Sequence, residues 1–75
     1  MMPNTVLRSI ENSYGDYCID FFERADGTFG FEEYRSDPED GATWHSLHRY
    51  QGRIFSSEGE ALAAAKSCVP WLKAV

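Results

Sequence analysis

The pair Asp26-Gly27, set between Asp16–Arg24 (DYCIDFFER) and Thr28–Ser36 (TFGFEEYRS), constrains the fold more than any other stretch of this chain. Both flanking runs are rich in aromatic and β-branched residues, the composition of a half-buried pleated strand. Asp-Gly between them signals a hairpin, because glycine takes a positive φ without steric cost. Loop length then decides which side chains share a face, since a slip of one residue inverts a strand. A two-residue loop would set Phe21 against Glu32. A three-residue loop, Ala25-Asp26-Gly27 with Gly27 left-handed, sets Phe21 against Phe31 and gathers Ile19, Phe21, Phe29 and Phe31 on one face. The second register is the expected one. It also places Asp20 opposite Glu32, a mildly unfavourable pairing of like charges that Arg24 or a cation from the last strand would offset.

The C-terminal third carries the helix signal. Ser57 with Glu60 fits a capping box, in which each side chain satisfies a backbone donor of the other. Glu58 and Glu60 sit at the positive end of the helix dipole. Ala61, Leu62, Ala65, Cys68, Val69 and Leu72 recur at helical spacing, and the alanines allow close approach to a sheet. Pro70 would clash with the Lys66 carbonyl and bias Val69 away from helical geometry, so the helix, about residues 57–69, ends or kinks there. Trp71 and Leu72 are then expected to fold over the core edge.

Thr5–Glu11 (TVLRSIE) reads as a first strand and Asn12–Gly15 (NSYG) as a turn. Asp37–Gly41 (DPEDG) is a flexible acidic loop by composition, and Thr43–Gln51 (TWHSLHRYQ) a further strand. The expected architecture is therefore α+β: a three- to four-stranded antiparallel sheet, strands near 5–11, 16–24, 28–36 and 43–51, with one C-terminal helix across one face. The length of 75 residues implies one domain, residues 1–75, with Met1–Asn4 a loose tail. A chain this short buries only about 60% of its unfolded surface; an aromatic content of 15% partly compensates.

Charge bears on partners. Twelve acidic residues against seven Lys and Arg give a formal charge of −5, a field that repels nucleic acid and anionic lipid. Cys18 and Cys68, fifty positions apart, make no disulfide framework and are expected as reduced residues near the core; a disulfide closing the long loop is the alternative. No apolar run approaches membrane-spanning length, and the first residues lack a signal-peptide core, so a cytoplasmic location is expected.

The order of strands then helix, with Gly52-Arg53-Ile54-Phe55-Ser56-Ser57-Glu58-Gly59-Glu60-Ala61-Leu62 at the junction, resembles plant ethylene-response-type DNA-binding domains and integrase arm-binding domains. It is also similar to short uncharacterised bacterial proteins of this shape. The resemblance covers roughly the last third of the chain. It implies a sheet whose face away from the helix enters the major groove through Arg and Trp side chains. Here that face holds Cys18, Asp20, Phe22, Arg24, Thr28, Gly30, Glu32 and Tyr34, to which the last strand would add Trp44, Ser46, His48 and Tyr50. Acids there are poor readers of base edges, so the shape carries over and the DNA activity does not.

The candidate protein-contact residues are accordingly Phe22, Tyr34, Trp44, His48 and Tyr50, an aromatic strip edged by carboxylates of the kind partners use as anchors. The phase of the last strand is open, since Leu47 is its only aliphatic; in the other phase Trp44 or Tyr50 joins the core. The runner-up reading is nucleic-acid binding, with Arg24, His45, Arg49 and Arg53 as candidates. Arg49 and Arg53 have the alternative of pairing with Glu33 or the acidic loop. His45 and His48 point to opposite faces of a strand, and two thiols do not complete a four-ligand zinc site, so no metal site is expected. Asp37, Glu39 and Asp40 miss the spacing of a calcium loop. No nucleophile turn or phosphate cradle occurs, so neither a catalytic residue nor a cofactor is assigned. The expected partner is another protein or a second copy, as monomer or weak homodimer, with nucleic acid disfavoured by charge and no membrane.

Overall fold

A computed structural model describes residues 4–41 and 43–74; of the expected tail Met1–Asn4, residues 1–3 lie outside them, and Asn4 is exposed and without regular structure. Four strands, β1 (Thr5–Glu11), β2 (Tyr17–Glu23), β3 (Phe29–Asp37) and β4 (Thr43–Ser46), form an antiparallel sheet in the order β1-β2-β3-β4. One helix, α1 (Glu58–Cys68), packs across β2 and β3. The molecule measures 37 × 31 × 18 Å, a two-layer slab.

The β2–β3 hairpin has the three-residue loop. Gly27 is left-handed at φ 85°, the Arg24 amide bonds the Thr28 carbonyl at 2.8 Å, and Phe21 pairs with Phe31. Ile19, Phe21 and Phe31 are buried on the helix side against Ala61, Ala65, Val69 and Leu72. Ala61 and Ala65 meet the sheet one turn apart, and their small side chains let the helix lie close. Phe29 shares this face but is half-buried at its end, bridged to Phe55.

At the helix start the Ser57 hydroxyl accepts from the Glu60 amide at 3.1 Å. The Glu60 carboxylate returns past the cap to the Ser56 amide (2.9 Å) and hydroxyl, one residue further back than a regular capping box. These bonds hold its carboxyl below the ordinary range. Val69 leaves helical geometry ahead of Pro70, and a short 3₁₀ turn (Pro70–Ala74) folds back, burying Leu72. Trp71 donates its indole N–H to Glu33 at 2.9 Å.

Two expectations need correction, and the first strand holds an irregularity the sequence does not announce. The last strand stops at Ser46 instead of running to Gln51. The acidic loop is partly ordered: Pro38–Asp40 is a 3₁₀ turn capped by the Asp37 carboxylate. The first strand carries a bulge between Val6 and Arg8, so its phase switches midway. Arg8 and Ile10 thereby lie on the helix side, and Ser9 and Glu11 on the other.

Candidate functional site

The face away from α1 presents Ser9 and Glu11 from β1, Cys18, Asp20 and Phe22 from β2, Gly30, Glu32, Tyr34 and Ser36 from β3, and Trp44 and Ser46 from β4. Two of the candidate contact residues stand open on it. Trp44 is 38% exposed and Tyr34 half-buried. Phe22 lies on this face but is only 7% exposed. Gly30 is its cross-strand partner, and the Arg24 guanidinium sits over its ring at 5.0 Å. A Cβ at Gly30 would come within 2.7 Å of Arg24 Nη2 and 3.0 Å of the Phe22 ring, so only glycine leaves room for this stack.

His48 and Tyr50 are not on this face, and the reason is where β4 ends. After Leu47, whose amide bonds the Glu33 carbonyl at 3.0 Å, the chain leaves the ladder through His48 at φ +53°. Tyr50 turns to the helix side and packs on Phe31, ring centroids 4.9 Å apart. His48 is exposed in the loop. The chain rejoins β3 at Phe55, opposite Phe29.

Glu32 and Arg24 hold this loop from opposite polarities. The Glu32 carboxylate, 2% exposed, accepts from the amides of Glu33 (2.8 Å), Arg49 (3.3 Å), Tyr50 (3.3 Å) and Gln51 (3.1 Å). Arg24 donates to the carbonyls of Gln51 (2.9 Å), Arg53 (3.1 Å) and Phe29 (3.0 Å) and to the Thr28 hydroxyl. A carboxylate thus replaces the missing strand as acceptor, and a guanidinium replaces it as donor. Neither edges an open face as the sequence reading had it. The like-charge pairing of Asp20 with Glu32 is met the same way: Asp20 accepts from the Ser9 hydroxyl at 2.6 Å, and Glu32 from backbone amides.

The basic candidates scatter. Arg24, half-buried, is bound to three carbonyls and a hydroxyl of its own chain. Arg49 reaches Glu33 at 3.5 Å, one of the two alternatives weighed for it. Arg53 donates to Cys68 Sγ at 2.9 Å and lies 5.9 Å from the Phe55 ring centre. His45 pairs with Arg35 across β3 and β4, on the side opposite Trp44. They form no common row on the open face.

What remains open there is a groove. Two hollows of about 150 and 350 Å³ adjoin and share Asp20 and Tyr34. The larger is lined by Ser9, Glu11, Cys18, Asp20, Tyr34 and Trp44. Sequence reading missed Ser9 and Glu11, because the bulge at Leu7 conceals which β1 residues face this way.

Both cysteines are free thiols. Burial first, then the charges of Asp20, Glu11 and Glu33, push the Cys18 thiol from 9.0 to about 11. The folded chain therefore holds this proton more tightly than the unfolded one. Its contribution to stability is full below about pH 9 and is lost as pH rises towards about 11. Alkylation of a Cys68→Ser variant by iodoacetamide should accelerate near the upper value, and Cys18→Ala should flatten part of the alkaline decline; acceleration centred near pH 9 would place the thiol in open water. Tyr34 is raised by the same causes, burial first and then Asp20 and Glu32.

Among the described residues no cluster of metal-ligating side chains occurs, and no helix is long and apolar enough to cross a membrane. No protein-family model, curated protein or solved structure matches the chain.

Proposed function

We propose that this chain is a small, non-enzymatic, cytoplasmic interaction module that docks another protein on the sheet face away from its helix. The observation that carries this reading is the groove beside Trp44: a large aromatic, 38% exposed on a sheet edge, walls a hollow of about 350 Å³ with Tyr34. Trp and Tyr in such positions are the residue types that anchor protein interfaces. At the far end of the same face Val6 is 55% exposed. The alternative of a nucleic-acid surface is less favoured, because Glu11 and Asp20 line the groove and Arg24 is occupied by internal oxygens.

Photo-crosslinking tests the reading. A benzoylphenylalanine placed at Val6, exposed on the same face and leaving Trp44 in place, should capture a defined protein in cell extract. The same residue at Ala63, exposed on the helix, should not. Equal capture at both positions, or none at either, would remove the open face as the docking side.

A further inference from the structure

We infer that the groove between Trp44 and Tyr34 seats an arginine side chain presented by the partner protein, its guanidinium flat against the rings and paired with Asp20 and Glu11. This rests on the docking reading above and names the chemistry of the partner.

The register sets the rings. Ser36 pairs with Trp44 and Tyr34 with Ser46, so Tyr34 and Trp44 are diagonal neighbours on one face. Such neighbours lie about 7 Å apart along the strands, within reach of aromatic side chains, and both rings line the larger hollow. Guanidinium is flat, weakly hydrated and attracted to aromatic faces, whereas ammonium is a compact, strongly hydrated point charge.

The charges are complementary. Glu11 and Asp20 line the larger hollow; the smaller has Asp20 beside a Glu32 already bound to four backbone amides, and neither is lined by Lys or Arg among the described residues. Ser9 holds Asp20 through Oδ1, which leaves Oδ2 to accept from a guest. Arg24, the cation of this face, is committed to four oxygens of its own chain. Burial first, and then the neighbouring Asp20 charge, holds both the Cys18 thiol and the Tyr34 hydroxyl protonated to higher pH, so neither adds a counter-charge at neutral pH. A carboxylate- or phosphate-bearing guest would meet repulsion there. A neutral apolar guest would leave Asp20 and Glu11 without a counter-charge.

The test titrates the ¹⁵N-labelled chain with the peptide Gly-Gly-Arg-Gly-Gly and with its citrulline analogue, which keeps the shape and loses the charge. The arginine peptide should shift the Trp44 indole N–H and the amides of Ser9, Cys18, Asp20 and Tyr34, with at least about fivefold weaker response to the citrulline peptide. Trp44→Ala should weaken binding about fivefold or more, and Glu11→Gln, an exposed change that keeps the side-chain size, about threefold. Equal response to both peptides would overturn the cationic specificity and leave the docking face standing. Shifts spread over all acidic residues, or equal groove shifts from spermidine, would reduce the effect to counterion attraction and overturn the proposal. No groove shift with either peptide would overturn it as well, while capture from position 6 would still uphold docking.

Discussion

Glu32→Ala is expected to destabilise the fold by about 3 kcal/mol, although its position reads as an exposed strand residue. Hydrogen bonds to a charged acceptor contribute roughly 1.5–3 kcal/mol each. Four amides lose their acceptor here, but the loop lies at the surface and water recovers part of the loss. The predicted cost is therefore well below the sum of four bonds. It is still a large share of a total on the order of 4–11 kcal/mol for a chain of this length. Glu32→Gln keeps one acceptor oxygen but turns an NH₂ towards amide donors, and should fall between wild type and alanine. Urea denaturation gives the magnitude; hydrogen exchange gives the mechanism. The amides of Arg49, Tyr50 and Gln51 should be protected in wild type and exchange freely in the alanine variant. A loss below 1 kcal/mol with unchanged exchange would mean that the loop is held by something else.

Phe31→Ala should cost about 3–5 kcal/mol, the range for removing a buried aromatic ring, and lower the urea midpoint of unfolding more than any surface change. Phe31 is fully buried. Its ring meets Phe21 (5.9 Å between centroids), Tyr50 (4.9 Å) and Phe55 (5.7 Å), joining the hairpin, the loop and the chain leading into α1. No neighbour can collapse into the gap without abandoning one of these contacts. Val6→Ala, on the exposed end of β1, should stay within about 0.5 kcal/mol and serves as the comparison. A Phe31→Ala loss under 1.5 kcal/mol would argue that the helix does not pack on this side.

The two variants probe opposite faces of adjacent residues, and they differ in how readable they were. Phe31 follows from period-two alternation once the hairpin loop is known. Glu32 has the same local signature as any solvent-facing strand carboxylate. The need for an acceptor there arises 17 to 19 positions later, where Arg49 to Gln51 leave the sheet with amides to satisfy.

A similar division runs through the candidate site. Trp44 and Tyr34 share the open face because Ser36 and Tyr34 pair with β4, an alternation that extends only as far as Ser46. Beyond it, His48 takes a positive φ and the parity argument no longer applies to Tyr50. In β1 the bulge at Leu7 has the same effect, hiding Ser9 and Glu11 from a strict alternation.

The antiparallel sheet of three to four strands followed by one helix, the hairpin register, the Ser57 cap and the end of the helix before Pro70 were all legible in the sequence itself. Each depends on residues a few positions apart: Asp-Gly in its turn, Ser57 with Glu60, Pro70 against Lys66. Only the tertiary structure decided that Glu32 and Arg24 serve the backbone of a distant loop, that Tyr50 joins the core, and that Ser9 and Glu11 meet Trp44 across a groove. Those outcomes depend on which unpaired amides and carbonyls come within hydrogen-bonding reach once the chain is compact, and local residue patterns carry no record of that distance.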